Sequence, residues 1–215
     1  FGATRRPGQP LARVFNPTES EHGWESTRTV VEVITDDMPF LLDSLTMVLN
    51  DSGINVHLMV HPVLHAVRDR AGRLRRITEE AIDGGRPEVD RIHDAGQREQ
   101  VRARIVAVLD DVQCAVRDWA AMRGHAEKIA RETAAGVPGI PRAEAAEASA
   151  FLAWLADNHF TFLGYREYRL VRGASTDRLA PVPRSGLCLP RTGGQRPLPQ
   201  ALVLSDGIRR KARLV

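Results

Sequence analysis

Thr29–Val56 reads TVVEVITDDMPFLLDSLTMVLNDSGINV, and this stretch decides the fold. Thr29 to Ile34 is a β-branched run, which predicts a strand. Thr35-Asp36-Asp37-Met38-Pro39 follows; Asp is a strong N-cap and Pro suits a first helical turn, so a helix is predicted to start here. Leu41, Leu45, Val48 and Leu49 then recur at helical spacing, with Asp43, Thr46 and Asn50 between them. Ser52-Gly53 closes the helix with a residue suited to a left-handed cap. Ile54–Val67 is predicted as a second, long strand. A turn at Asp69–Gly72 leads to Leu74–Ile77 as a third strand, and Pro87–Ile92 is a candidate for one more.

On the N-terminal side, residues 1–27 hold scattered prolines and glycines and read as an extended arm or linker. On the other side, Val101, Ile105, Val108, Val112, Ala115, Trp119, Met122 and Ala126 recur by four and three, a heptad seam. It predicts a helix from about Gln97 to about Ala135, roughly 58 Å long at ~1.5 Å per residue. A small sheet covers only part of such a helix. The remainder either bends near Gly124 or packs on another domain or chain, which makes Val108, Val112, Trp119 and Met122 interface candidates. GVPGIP at 136–141 breaks the helix and is the expected linker, so 28–135 is expected to be one domain. In 142–215, Ala148, Phe151, Leu152 and Leu155 form a helix face, and Phe160–Val171 reads as a strand. Leu179–Val182 and Ala201–Leu204 are shorter strand candidates. This second α+β unit reads as truncated.

Composition narrows the class. Of 215 residues, 43% are hydrophobic and 27% charged, as in soluble globular proteins, so disorder is excluded as the main state. No apolar run reaches 18 residues, which argues against a membrane-spanning helix. Thirty basic residues against 27 acidic leave a formal charge of +3, too balanced for a nucleic-acid stripe. The one basic concentration, Arg68, Arg70, Arg73, Arg75 and Arg76, flanks a turn and reads as a solvated hairpin tip. Cys114 and Cys188 make no disulfide framework, so a reducing cytoplasm is the default. The chain starts at Phe1, with no initiator Met and no signal-like segment, and is expected to be a piece of something longer.

Catalytic constellations are missing from the sequence. It has no GxGxxG, GxxxxGK[ST], GxSxG or HExxH, and no catalytic residue is assigned. His57, His61 and His65 are spaced by four. On a strand their neighbours sit ~13 Å apart at ~3.3 Å per residue, too far for one zinc, so no metal site is assigned. Asp36 and Asp37 suit a ligand-binding turn better than acid–base work, because a turn at a helix N-terminus offers free backbone N–H groups to a carboxylate.

Thr35–Val56 resembles the start of an ACT domain, which repeats strand, acidic turn with Pro, helix, Gly-Ile-Asn and strand. Three phrases narrow the match: RVFNPTESEHGWESTRTVVEVITDDMPFLLDSL, HPVLHAVRD and FLAWLADNHFTFLGYREYRLV. They resemble the N-terminal region of the large bacterial NAD-dependent glutamate dehydrogenases. The resemblance implies an α+β fold: a ferredoxin-like ACT-type βαββα(β) sandwich with a long second helix, then the start of a PAS-like unit. It implies a cytoplasmic homo-oligomer whose parent chain converts glutamate to 2-oxoglutarate with NAD, while this region holds no cofactor. It also implies regulation, with an amino-acid effector beside Asp36, Asp37 and Met38 and with Asn50 and Asn55 near the pocket. The partners implied are the chain's own catalytic domain and other subunits, with no nucleic acid or membrane. Two departures matter. Phe40 stands where ligand-binding ACT domains place Gly, and its ring could fill the pocket. No fourth strand follows the long helix, which leaves a sheet edge to pair with another module. The alternative is a purely architectural oligomerisation module that binds no small molecule.

Overall fold

The computed structural model describes residues 1–77, 88–173, 177–192 and 202–203. The chain falls into two compact units, Phe1–Gln113 and Cys114–Val215. This division lies inside the long helix, ahead of the break at 136–141 on which the sequence places a boundary.

The first unit holds β1 (Leu11–Phe15), the one-turn α1 (Glu19–His22), β2 (Thr29–Ile34), α2 (Leu41–Asp51), β3 (Val56–Leu58), β4 (Ala66–Arg68), β5 (Leu74–Ile77), β6 (Glu88–Val89) and the first part of α3 (Ala95–Ala134). Four strands form one antiparallel sheet in the order β1-β2-β6-β3, and β4 pairs with β5 as a separate hairpin. The sequence reads residues 1–27 as an arm, but Leu11–Phe15 joins the sheet: Ala12 lies opposite Val33, and Val14 opposite Val31. The edge beside β2 is thus covered by the chain's own N-terminal strand. Composition hid this, because only five residues of the segment are strand and one of them is Arg13.

Strand alternation puts Ala12, Val14, Val31 and Val33 on one face, where they pack with Leu41, Leu45, Val48 and Leu49 of α2 and with Val101, Ile105, Leu109 and Val112 of α3. Ile105 and Leu109 are fully buried; side chains of this size each contribute about 1.5–3 kcal/mol on burial. The predicted long strand Ile54–Val67 is two short strands on different sheets, β3 and β4. Pro62 sits between them without an N–H to donate to a ladder.

Helix termini follow local chemistry. Gly53, at φ +71°, closes α2, and the Ile54 N–H reaches back to the Leu49 carbonyl at 3.0 Å. Asp94 Oδ1 accepts the Gln97 N–H at 2.6 Å and caps α3. The expected Asp cap on α2 is overturned. The helix starts at Leu41, its N-cap is Phe40 in the left-handed region at φ +68°, and no side chain caps it. Pro39 and Phe40 form a turn ahead of the helix, and Asp36 is engaged elsewhere.

The second unit holds the rest of α3, α4 (Arg142–Trp154), a wide turn at Leu155–His159, β7 (Gly164–Tyr165), β8 (Tyr168–Val171), β9 (Arg178–Pro181), β10 (Leu187–Cys188), α5 (Leu189–Thr192) and β11 (Leu202–Val203). Its strands form the pair β10-β7 and the sheet β11-β9-β8. The single strand predicted over Phe160–Val171 is broken at Arg166-Glu167. There the Glu167 N–H goes to Ser185 Oγ and its carbonyl accepts from Val182, so β7 and β8 take different partners. Cys114, Ala115, Met122 and Cys188 form a small core. The Gly84-Gly85 and Gly193-Gly194 pairs lie outside the described residues.

Candidate functional site

The N-terminal segment builds the site together with the β2–α2 turn. The Leu74 N–H donates to the Ala3 carbonyl at 2.8 Å, the Arg5 N–H donates to the Gly72 carbonyl at 2.9 Å, and Arg68 Nη1 donates to the Gly2 carbonyl at 2.9 Å. These bonds lay residues 2–5 along the β4–β5 hairpin. Gly72 is required for this approach: at φ +79°, a Cβ there would stand 2.6 Å from the Arg5 carbonyl oxygen. Arg5 then pairs with Asp36 through Nη2, and the Gly8 N–H donates to Asp36 Oδ2 at 2.7 Å. The Arg5 guanidinium holds the Asp36 carboxyl below the usual carboxylate range; burial opposes it, and the Gly8 amide adds a further lowering.

A cavity of about 1000 Å³ opens here. One wall is aliphatic, with Val31, Val33, Leu41, Leu45 and Leu49, and the other carries Leu58, Met59, Val60, Val63 and Leu64. Its polar side chains are Arg5, Arg13, Glu32, Thr35, Asp36, Asp37, His61 and Arg68. Most of these groups are already engaged. Arg13 Nε donates to Glu32 Oε2 at 2.6 Å, and Arg68 donates to backbone carbonyls. The Arg5 side chain is 10% exposed, and its buried Nε has no hydrogen-bond partner among the described residues.

Asp36 and Asp37 of the sequence candidates therefore line one cavity. Met38 packs against the first core. Asn50 lies in the last turn of α2, roughly 13 Å along its axis from Leu41, Asn55 follows its end, and neither is among the residues lining the cavity. Asn55 Nδ2 and N–H both donate to Asp90 Oδ2, at 2.7 and 3.0 Å. Phe40 does not plug the cavity: it is 48% exposed and absent from the lining, because the left-handed turn at its Cα carries it elsewhere. Arg5 and Arg13 escaped the sequence reading. Their segment looked like a linker, and nothing in its pattern announced a pairing with residues far along the chain.

Of the interface candidates, Val112 and Met122 are buried within their own units, at 8% and 1% exposure. Val108 packs against the first core, and Trp119 is half-buried beneath Arg123. His57 Nε2 meets Asp90 Oδ1 at 2.6 Å, with Arg28 beside it. Among the described residues, no three His, Cys, Asp or Glu side chains are grouped to hold a metal ion, and no helix is long and apolar enough to cross a membrane.

Residues 1–105 match the family model "Glutamate dehydrogenase, ACT1 domain". This region belongs to the glutamate dehydrogenase ACT1 family. The matched span includes β1 and the Arg5 segment as well as β2 and α2. Most of the chain is similar to proteins named NAD-specific glutamate dehydrogenase. It is 36% identical to that of Pseudomonas aeruginosa over 85% of this chain and 38% identical to that of Halomonas elongata over 84%. It is 27% identical to that of Mycobacterium tuberculosis over 66% of this chain. The chain spans 12% of the length of the first two relatives and 9% of the third. The ACT1 match ends within α3, while the similarity to the first two relatives runs on to cover most of the second unit.

Proposed function

We propose that this chain is a regulatory region of an NAD-dependent glutamate dehydrogenase, and that its ACT1 unit senses an amino acid. The carrying observation is the cavity at the β2–α2 turn, where a largely aliphatic wall meets Arg5 and Asp37, which carry opposite charges. Arg5 Nε is buried with no partner among the described residues and suits a ligand carboxylate, while Asp37, on the same lining, suits an ammonium. The aliphatic walls favour a branched side chain over a charged one. The parent reaction, glutamate with NAD and water to 2-oxoglutarate, ammonia and NADH, belongs on this reading to a longer cytoplasmic, oligomeric protein. The β2–α2 turn does not fit NAD. It carries no glycine, and its two carboxylates would repel a pyrophosphate.

The strand order β1-β2-β6-β3 supports a ferredoxin-like reading in which β1 takes the place of a strand after the second helix. We assign the second unit to the PAS-like module of the same region, and the segment around 136–141 to a linker. The test is NAD-dependent glutamate oxidation by the full-length protein, with and without leucine, isoleucine or valine. Asp37→Asn is expected to shift the effector concentration needed by roughly tenfold or more, the worth of a hydrogen bond to a charged group, and to leave the basal rate unchanged. An identical response in the variant contradicts the proposal.

An assembly role is the second reading, favoured by apolar side chains left exposed on the second unit: Phe151 at 58%, Trp154 at 50%, Phe160 at 55% and Leu163 at 56%. Light scattering on Phe151→Glu and Trp154→Glu checks it. A smaller assembly is the expected outcome, and an unchanged mass contradicts it.

A further inference from the structure

We propose that the β4–β5 hairpin and the run 59–65 form a movable wall that closes on the effector, and that the effector fastens this wall by bridging Arg5 to Asp37. This closure rests on the amino-acid reading of the cavity and supplies what binding does to the unit.

The two walls of the cavity are built differently. On one side, α2 and the β1-β2-β6-β3 sheet share the first core. On the other, β4 and β5 pair with each other as a sheet of their own. No residue of 57–77 belongs to the first core among the described residues. The hairpin register puts Ala66 opposite Ile77 on one face, and both line the cavity. Leu58, Val63, Leu64 and Ile77 line it too, yet they stay 43%, 45%, 40% and 47% exposed. An apolar wall open to water gains free energy by closing, and a segment with few buried apolar contacts opens and closes at low cost. The cavity, at about 1000 Å³, lies at the upper end of the range that holds drug-sized ligands, roughly 300–1,000 Å³. An aliphatic amino acid fills it only once the walls approach.

The N-terminal segment is the clasp. Thr4 bridges Arg73 and joins residues 2–5 to the hairpin. The chain then curls around Asp36: the Gln9 N–H donates to the Arg6 carbonyl at 3.1 Å, and Arg5 Nη1 donates to the Gln9 carbonyl at 3.4 Å. Arg5 is thus attached to the hairpin, whereas Asp37 is attached to β2 and α2. Asp36 ties the clasp to the β2–α2 turn through the Arg5 ion pair and the Gly8 amide. The effector adds a second tie, with its carboxylate on the buried Arg5 Nε and its ammonium on Asp37. Its two charges are then divided between the two walls, so binding and closure are one equilibrium.

Hydrogen exchange of the full-length protein, read by mass spectrometry with and without leucine, isoleucine and valine, tests the closure. Isothermal titration with the same three amino acids runs beside it. Peptides covering residues 2–9 and 57–77 are the reporters, because the Arg5, Gly8 and Leu74 amides make the clasp's hydrogen bonds. At ten times the dissociation constant, exchange that requires the wall to open and release the effector should slow about elevenfold. Gly72→Ala supplies a second measurement. Its Cβ would stand 2.6 Å from the Arg5 carbonyl oxygen, at a residue outside the cavity lining. By unseating the clasp it should leave the binding-competent form a minor one and raise the dissociation constant roughly tenfold. Heat of binding with unchanged exchange in both peptides would overturn the closure and leave the amino-acid reading standing, as would an unchanged constant in folded Gly72→Ala. No heat from any of the three amino acids would remove the reading and the closure with it. The wild-type comparison decides even where the variant does not fold.

Discussion

Thr29 is polar and has no solvent exposure. Its hydroxyl donates to Asn16 Oδ1 at 2.7 Å and accepts the Ile92 N–H at 2.8 Å, and Asn16 Nδ2 donates to the Ile92 carbonyl at 3.0 Å. One side chain thus ties the end of β1, the start of β2 and the chain leaving β6. Thr29→Val keeps the shape but strands a buried N–H and an amide oxygen. A loss of about 1–3 kcal/mol is expected in urea denaturation, and Thr29→Ser should recover most of it. An unchanged midpoint for Thr29→Val would mean that the network holds nothing together. The sequence marks Thr29 only as the first residue of a β-branched run, because a hydroxyl's partners are set by tertiary packing. Asp36 and Asp37 were legible as a charged turn, but their partner Arg5 was not: that pairing crosses 31 positions.

At the scale of elements, the signals with strong periodicity survived folding. The α2 stripe and the Gly53 cap are where the spacing predicts them, and the seam of Val101, Ile105 and Val112 is buried against the sheet of its unit. Strands fared worse. β3 and β6 contribute three and two residues, too few for an alternation pattern to register. What joins them is a carboxylate. Asp90, just after β6, accepts from His57 Nε2 and from both nitrogens of Asn55. The His57 bond, then the Asn55 bonds, pull the Asp90 carboxyl down to about 2. A carboxyl depressed on folding stabilises the fold above its unfolded value near 3.9, and that contribution is lost as pH falls through about 2. Melting temperature followed from pH 5 to pH 2 should therefore fall more steeply for the wild type than for Asp90→Asn. Parallel curves would show that this carboxylate does not pin β3 to β6.

Across the whole molecule, family and architecture were legible further than the site. The phrases that suggested a glutamate dehydrogenase front end lie in the regions that the comparisons match. The α+β class holds in both units. The cavity was not legible, because its walls come from the N-terminal segment, the β2–α2 turn and the irregular run after β3, three stretches of which only the turn had a recognisable signature. The central claim is that this cavity takes an amino acid by its two charges. Isothermal titration of the full-length protein with aliphatic, acidic and aromatic amino acids, repeated on Asp37→Asn, tests it most directly. The account predicts heat from an aliphatic amino acid that the variant loses. Heat of equal size in both proteins, or none from any aliphatic amino acid, would contradict it.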